Sequence, residues 1–201
     1  MKQFAIFISF IFHPIFIPIA GTLAFFIATP QLIPLNVQSG NILPIFILTV
    51  IIPIICYLIL RNIGLVSSIH MPTIKERKYP FYISLALLLM ILYKVIPNNY
   101  AIELHYYFLG LVSATLTSLI LLFINFKSSM HLMGMGSLLM FLISLSFHFE
   151  INIVLALSLL VLLSGIVATS RLYLKAHTNA EIIVGFLIGI ASQLLTIKFW
   201  L

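Results

Sequence analysis

The chain has 201 residues, 63% of them hydrophobic and 7% charged, with a net charge of +6 and a mean hydropathy of +1.25. Soluble domains carry about a quarter charged residues, so a soluble globule is excluded, and the length leaves no room for one beside several membrane spans. The expected organisation is one lipid-embedded domain, residues 1–201, in a lipid bilayer and without a nucleic-acid partner.

Crossing a hydrocarbon layer of roughly 30 Å takes about 20 residues as a helix, and the backbone must satisfy itself there as helices or a closed barrel. The apolar runs are continuous and do not alternate, which points to helices. In chain order the predicted spans are 3–28, 42–60, 80–96, 105–125, 131–148, 151–169 and 180–199. The fold class is therefore an all-α transmembrane bundle of seven helices, or six if the short 80–96 segment with its Lys94 lies in the interface.

The first run, from Phe4 to Phe26, is longer than the apolar core of a secretory signal and lacks a small-residue cleavage site, so it reads as a retained span. Pro14, Pro18, Pro44 and Pro53 fall in the first two spans and predict kinks. His13, next to Pro14, reads as a polar packing residue. Cys56, the one cysteine, reads as a small apolar residue. There is no aspartate, and the four acids are Glu76, Glu103, Glu150 and Glu181.

Alternating seven spans places Lys2, Arg61, Lys75, Glu76, Arg77, Lys78, Lys127, Arg171 and Lys175 on one face. The positive-inside rule and an anion-binding site would both give this asymmetry, so it assigns no side. Three polar segments fall on that face. In the first, Ser170-Arg171 is followed by His177 and Glu181; the last two are four residues apart and would share a helix face. A carboxylate on one imidazole nitrogen leaves the other free to attack, and Arg171 offers a planar fork to phosphate oxygens. The second, Lys127-Ser128-Ser129-Met130-His131, precedes a span whose helix start favours an anion. There Ser129 would cap the helix or donate to phosphate, and His131 would act as an acid. The third is the loop from Pro72 to Pro80, with Lys75, Glu76, Arg77 and Lys78 in succession. Taken singly, each segment also reads as an ordinary solvated or capping element.

Together these residues resemble the type 2 phosphatidic acid phosphatase superfamily. Its third motif is Ser-Arg, five residues, His, three residues and usually Asp; here it is Ser170-Arg171, five residues, His177, three residues and Glu181. Its second motif, Pro-Ser-Gly-His, corresponds to Ser128-Ser129-Met130-His131, which keeps the Ser and His but not the Pro and Gly. Its first motif, Lys, six residues, then Arg-Pro, has a degenerate counterpart in Lys75, Arg77 and Lys78 before Pro80. The resemblance covers about 75–185.

It implies a metal-independent lipid-phosphate or lipid-diphosphate phosphatase without cofactor, working through a phosphohistidine on His177. Glu181 would orient that nucleophile and His131 would be the acid. Arg171, Ser129, Lys75, Arg77 and Lys78 would be the phosphate ligands. The substrate would be a lipid phosphate, and the expected location the bacterial cytoplasmic membrane. The altered first and second motifs equally suit a non-catalytic relative that binds an anionic lipid or a partner protein. A transporter is disfavoured, because most ionisable residues sit at span ends and not near the midplane.

Overall fold

The computed structural model describes residues 1–30, 33–68, 71, 73–96 and 101–201. Pro72, the first residue of the third polar segment, lies outside the described residues. The structure is all-helical, with no strand among the described residues. Seven helices are long and apolar enough to cross a membrane: Lys2–Ala28, Leu35–Asn62, Ile74–Val95, Ile102–Phe123, Met130–His148, Val154–Tyr173 and Asn179–Ile197. They are called the first to the seventh span below.

The third span begins earlier than its apolar run. Thr73 is its N-cap, with the Oγ1 accepting the Glu76 N–H at 3.3 Å. Side-chain caps of this kind satisfy donors that a helix start otherwise leaves open, so the helix extends past the apolar residues by two polar turns. Lys75, Glu76, Arg77 and Lys78 therefore ride on a helix, not in a loop as the sequence suggested, and Pro80 lies inside it.

The prolines act as expected but by different routes. The residue before a proline is driven out of the α region, and His13 is accordingly extended (φ −64°, ψ 137°), which divides the first span into Lys2–Ile11 and Ile17–Ala28 around a short 3₁₀ turn, Pro14–Phe16. In the second span the strain between Pro44 and Pro53 is taken up by a π-helical stretch, Ile47–Ile51.

Four spans end in the same way. A residue with positive φ closes each: Gly64 (77°), Asn125 (63°), Glu150 (53°) and Lys175 (52°). After the sixth span the Ala176 N–H donates to the Arg171 oxygen at 3.1 Å and the Lys175 N–H to the Leu172 oxygen at 2.9 Å. This is the paired pattern of a Schellman end, and it turns the chain back within four residues of Tyr173.

The fifth span is the most enclosed. Tyr107 and Phe108 of the fourth span and Met135, Phe141 and Leu145 of the fifth are fully buried. The Tyr107 hydroxyl donates to the Ile17 carbonyl at 2.8 Å, and the Gln193 amide donates to the Tyr107 carbonyl at 3.1 Å, tying the fourth span to the first and the seventh.

Without a hydrophobic driving force between helices in lipid, close packing requires small residues at the contact. Gly185 and Gly189 in the seventh span, one helical turn apart, provide it. A Cβ at Gly185 would lie 2.5 Å from the Ser129 carbonyl oxygen, and one at Gly189 would strike the Met133 carbonyl. This contact fixes the two N-terminal ends, of the fifth and the seventh span, side by side. The outer surface carries exposed Leu155, Leu159, Ile183, Leu187 and Leu195, as a lipid-facing surface requires.

Candidate functional site

The hairpin between the sixth and seventh spans sets the geometry of His177. The seventh span starts with a capping box. Thr178 is the N-cap, its Oγ1 accepts the Glu181 N–H at 3.3 Å, and a Glu181 carboxylate oxygen accepts the Thr178 N–H at 3.0 Å. The same oxygen, Oε2, accepts from Nδ1 of His177 at 3.1 Å. The expected His177–Glu181 contact is therefore present, though not as a pair on one helix face. His177 lies ahead of the helix, and the contact exists because Glu181 reaches back to its N-cap.

Since Nδ1 donates to a carboxylate, Nε2 of His177 carries the lone pair. The His177 side chain is 3% exposed. Burial first, then the positive charges of Arg77 and Arg171, push its pKa down to about 4 against the opposing pull of Glu181. The imidazole is thus held neutral at pH 7.

The fifth span begins beside this hairpin. The Ser129 N–H donates to the backbone carbonyl of Glu181 at 2.9 Å, in register with the close approach at Gly185. Ser129 is the N-cap residue of this span but makes no side-chain cap bond. Its Oγ, the Oγ of Ser128, the Oγ of Ser9 and Nε of Arg171 are all buried without a hydrogen-bond partner among the described residues. Buried polar groups are nearly always satisfied, and an exception calls for an explanation. Four of the five such atoms among the described residues converge; the fifth, Nε1 of Trp200, lies apart beside Phe141 and His148. Ser129 touches Glu181 through its backbone, Ser9 touches His131, and Arg171 lies within electrostatic reach of His13, His131 and His177.

His131 occupies the first turn of the fifth span and is buried. Its Nε2 lies 3.0 Å from the carbonyl oxygen of Ser9. A carbonyl only accepts, so Nε2 carries a hydrogen and Nδ1 is the nitrogen left for other chemistry. The ring stands edge-on to that of His13, with centroids 5.4 Å apart and planes at 81°. His13, expected to be a packing residue, thus belongs to the cluster. Its sequence signal was a histidine inside an apolar span, which is itself a mark of function, placed before the proline that breaks the helix.

The three basic residues at the start of the third span separate. Arg77 joins the cluster: its charge acts on His177, and it lies within electrostatic reach of Arg171 and Glu181, while its Nε donates to the Met71 carbonyl at 2.9 Å. The Lys78 ammonium sits 4.0 Å from the centre of the Phe123 ring. Lys75 is exposed. The cluster thus holds two guanidinium groups and one carboxylate, with Arg77 in electrostatic reach of Glu181, and it is positive. Among the described residues no three His, Cys, Asp or Glu side chains are placed to hold a metal ion together.

The cluster combines a neutral imidazole with a free lone pair, two guanidiniums, two uncommitted hydroxyls at a helix start and a second imidazole. No family model, curated protein or solved structure matches the chain.

Proposed function

We propose that the protein is a membrane lipid-phosphate phosphatase acting through a phosphohistidine, as its resemblance to the type 2 phosphatidic acid phosphatases implies. The observation that carries this reading is the convergence of His177, oriented by Glu181, on two arginines and unpartnered buried hydroxyls. Like charges held together with unsatisfied donors suit an anion with several acceptor oxygens. Phosphoryl transfer depends chiefly on positioning and on charge stabilisation of that kind.

In this mechanism Arg171, Arg77, the Ser128 and Ser129 hydroxyls and the first amides of the fifth span hold the phosphate oxygens. Nε2 of His177 attacks phosphorus, the N–P bond forms, and the P–O bond to the lipid breaks with its electron pair on oxygen. The negative charge of the bound phosphate lets Nδ1 of His131 take up a proton from water, and the leaving oxygen takes that proton. Water then gives a proton back to Nδ1 and attacks phosphorus, and the N–P bond breaks to restore the lone pair of His177. Glu181 stabilises the positive charge on His177 in both steps. The buried cations supply the charge compensation, so the reaction is expected to run without a divalent ion. Lys75 and Lys78 contribute to the field at the head group and not to contacts.

Purified protein is expected to release inorganic phosphate from a lipid phosphate in excess EDTA, and His177→Ala and His131→Ala to abolish release. Full activity in both variants, or strict dependence on an added divalent metal, would overturn the mechanism. Phosphate binding without turnover in the parent would identify instead a non-catalytic binder of anionic lipid, a reading favoured by Met130 standing where the family pattern has glycine.

A further inference from the structure

The first span meets the site twice, through the Ser9 carbonyl on His131 and, one helical turn later, through the His13 ring. Both contacts follow from the break at Pro14. An unbroken helix would give His13 helical backbone angles; the extended conformation makes it the N-cap of the Pro14–Phe16 turn, where its Nδ1 accepts the Ile15 N–H at 3.3 Å. An imidazole nitrogen that accepts from a backbone N–H has no hydrogen, so in the neutral ring the hydrogen is on Nε2.

That Nε2–H has no hydrogen-bond partner among the described residues. The ring is only half-buried, 5.4 Å from the ring of His131 and within electrostatic reach of Arg171. The nitrogen is not among the sealed, unpartnered atoms of the site, so a ligand can reach it. An anion held by Arg171 would satisfy it.

We propose that His13 is a further phosphate-binding residue, its Nε2–H donating to an oxygen of the anion held by Arg171, with the Ile15 N–H fixing the tautomer. This rests on the anion-binding part of the proposed function and is independent of turnover. It assigns the first span a direct part in the site, which none of the three polar segments suggested.

The test separates the two ring nitrogens. The amide of asparagine mimics Nδ1 and keeps the cap on the Pro14–Phe16 turn; the longer amide of glutamine places an N–H near the position of Nε2. Full-length parent, His13→Asn and His13→Gln are titrated in detergent with inorganic phosphate, and the rise in thermal midpoint is followed. Phosphate is expected to raise the midpoint of the parent. His13→Gln should need within about threefold of the parent's phosphate concentration. His13→Asn should need on the order of 10- to 100-fold more, as expected for the loss of one hydrogen bond to a charged group.

A structural cap predicts the reverse order, and His13→Asn binding as tightly as the parent would overturn the proposal. So would a parent that phosphate does not stabilise. A parent that phosphate stabilises, with the predicted order of variants but no hydrolysis of lipid phosphate, would sink the phosphatase reading and leave the role of His13 standing.

Discussion

Replacing Glu181 with glutamine separates its two tasks. Glutamine serves in a capping box as glutamate does, and its carbonyl oxygen can take over the Thr178 N–H bond, so the seventh span should keep its start and the thermal midpoint should change little. The charge is lost, and with it the partner of the positive charge that builds on His177 when its Nε2 attacks phosphorus. The carboxylate oxygen is 3.1 Å from Nδ1, and the centres of the two charges are about 4 Å apart. At an effective dielectric of about 20 such a pair is worth about 4 kcal/mol, or close to a 1,000-fold loss of turnover. Steady-state phosphate release from a micellar lipid phosphate should therefore show kcat reduced by roughly three orders of magnitude and KM nearly unchanged. A folded Glu181→Gln protein with kcat within about tenfold of the parent would refute the idea that Glu181 stabilises a charged His177 in the rate-limiting step.

Three other perturbations test separate parts of the account. Gly185→Ala puts a Cβ against the Ser129 carbonyl; it should cost about 1–3 kcal/mol of stability and lower turnover by displacing Ser129, read by thermal unfolding and phosphate release. Lys175→Gly relieves a side chain held at φ 52° at the end of the sixth span; it should raise stability by about 0.5–1 kcal/mol and leave turnover intact. His177 titrates below its ordinary 6.5, at about 4. Its contribution to stability is accordingly full above pH 6.5 and lost as pH falls from 6.5 through 4, because the unfolded chain takes up the proton first. The pH dependence of unfolding should show this slope in the parent and not in His177→Phe.

The spans were legible because run length and the thickness of a bilayer leave few choices, and each of the seven helices overlaps an expected apolar run. The second nevertheless starts at Leu35, ahead of the expected 42–60 and through polar residues. The start of the third span was not legible either, since a threonine cap and Glu76 carry the helix past the point where hydropathy stops. Arg171, His177 and Glu181 were readable from spacing because a short hairpin keeps them together whatever the rest of the chain does. The capping box that unites His177 and Glu181 is present in the letters Thr178-Asn-Ala-Glu181, but a spacing of four equally describes one face of a helix. His13 stood out as a histidine in an apolar span, but its partner was not readable. Its place beside His131 depends on packing between the first and fifth spans, 118 positions apart, and on a proline whose effect is a local break of undetermined direction until the bundle is assembled. Likewise nothing in the order Lys75, Arg77, Lys78 distinguished the arginine that joins the cluster from the lysine that covers Phe123.

The central claim is that Nε2 of His177 forms a bond to phosphorus, and it is tested most directly by trapping. Parent protein mixed with a lipid phosphate, quenched in base within one turnover and digested should yield a phosphoryl group on the peptide that contains His177. That label should survive base and be lost in acid, and it should be absent in His177→Ala. Hydrolysis of the lipid with no covalent phosphate, or a label on Ser128 or Ser129 instead, would contradict it.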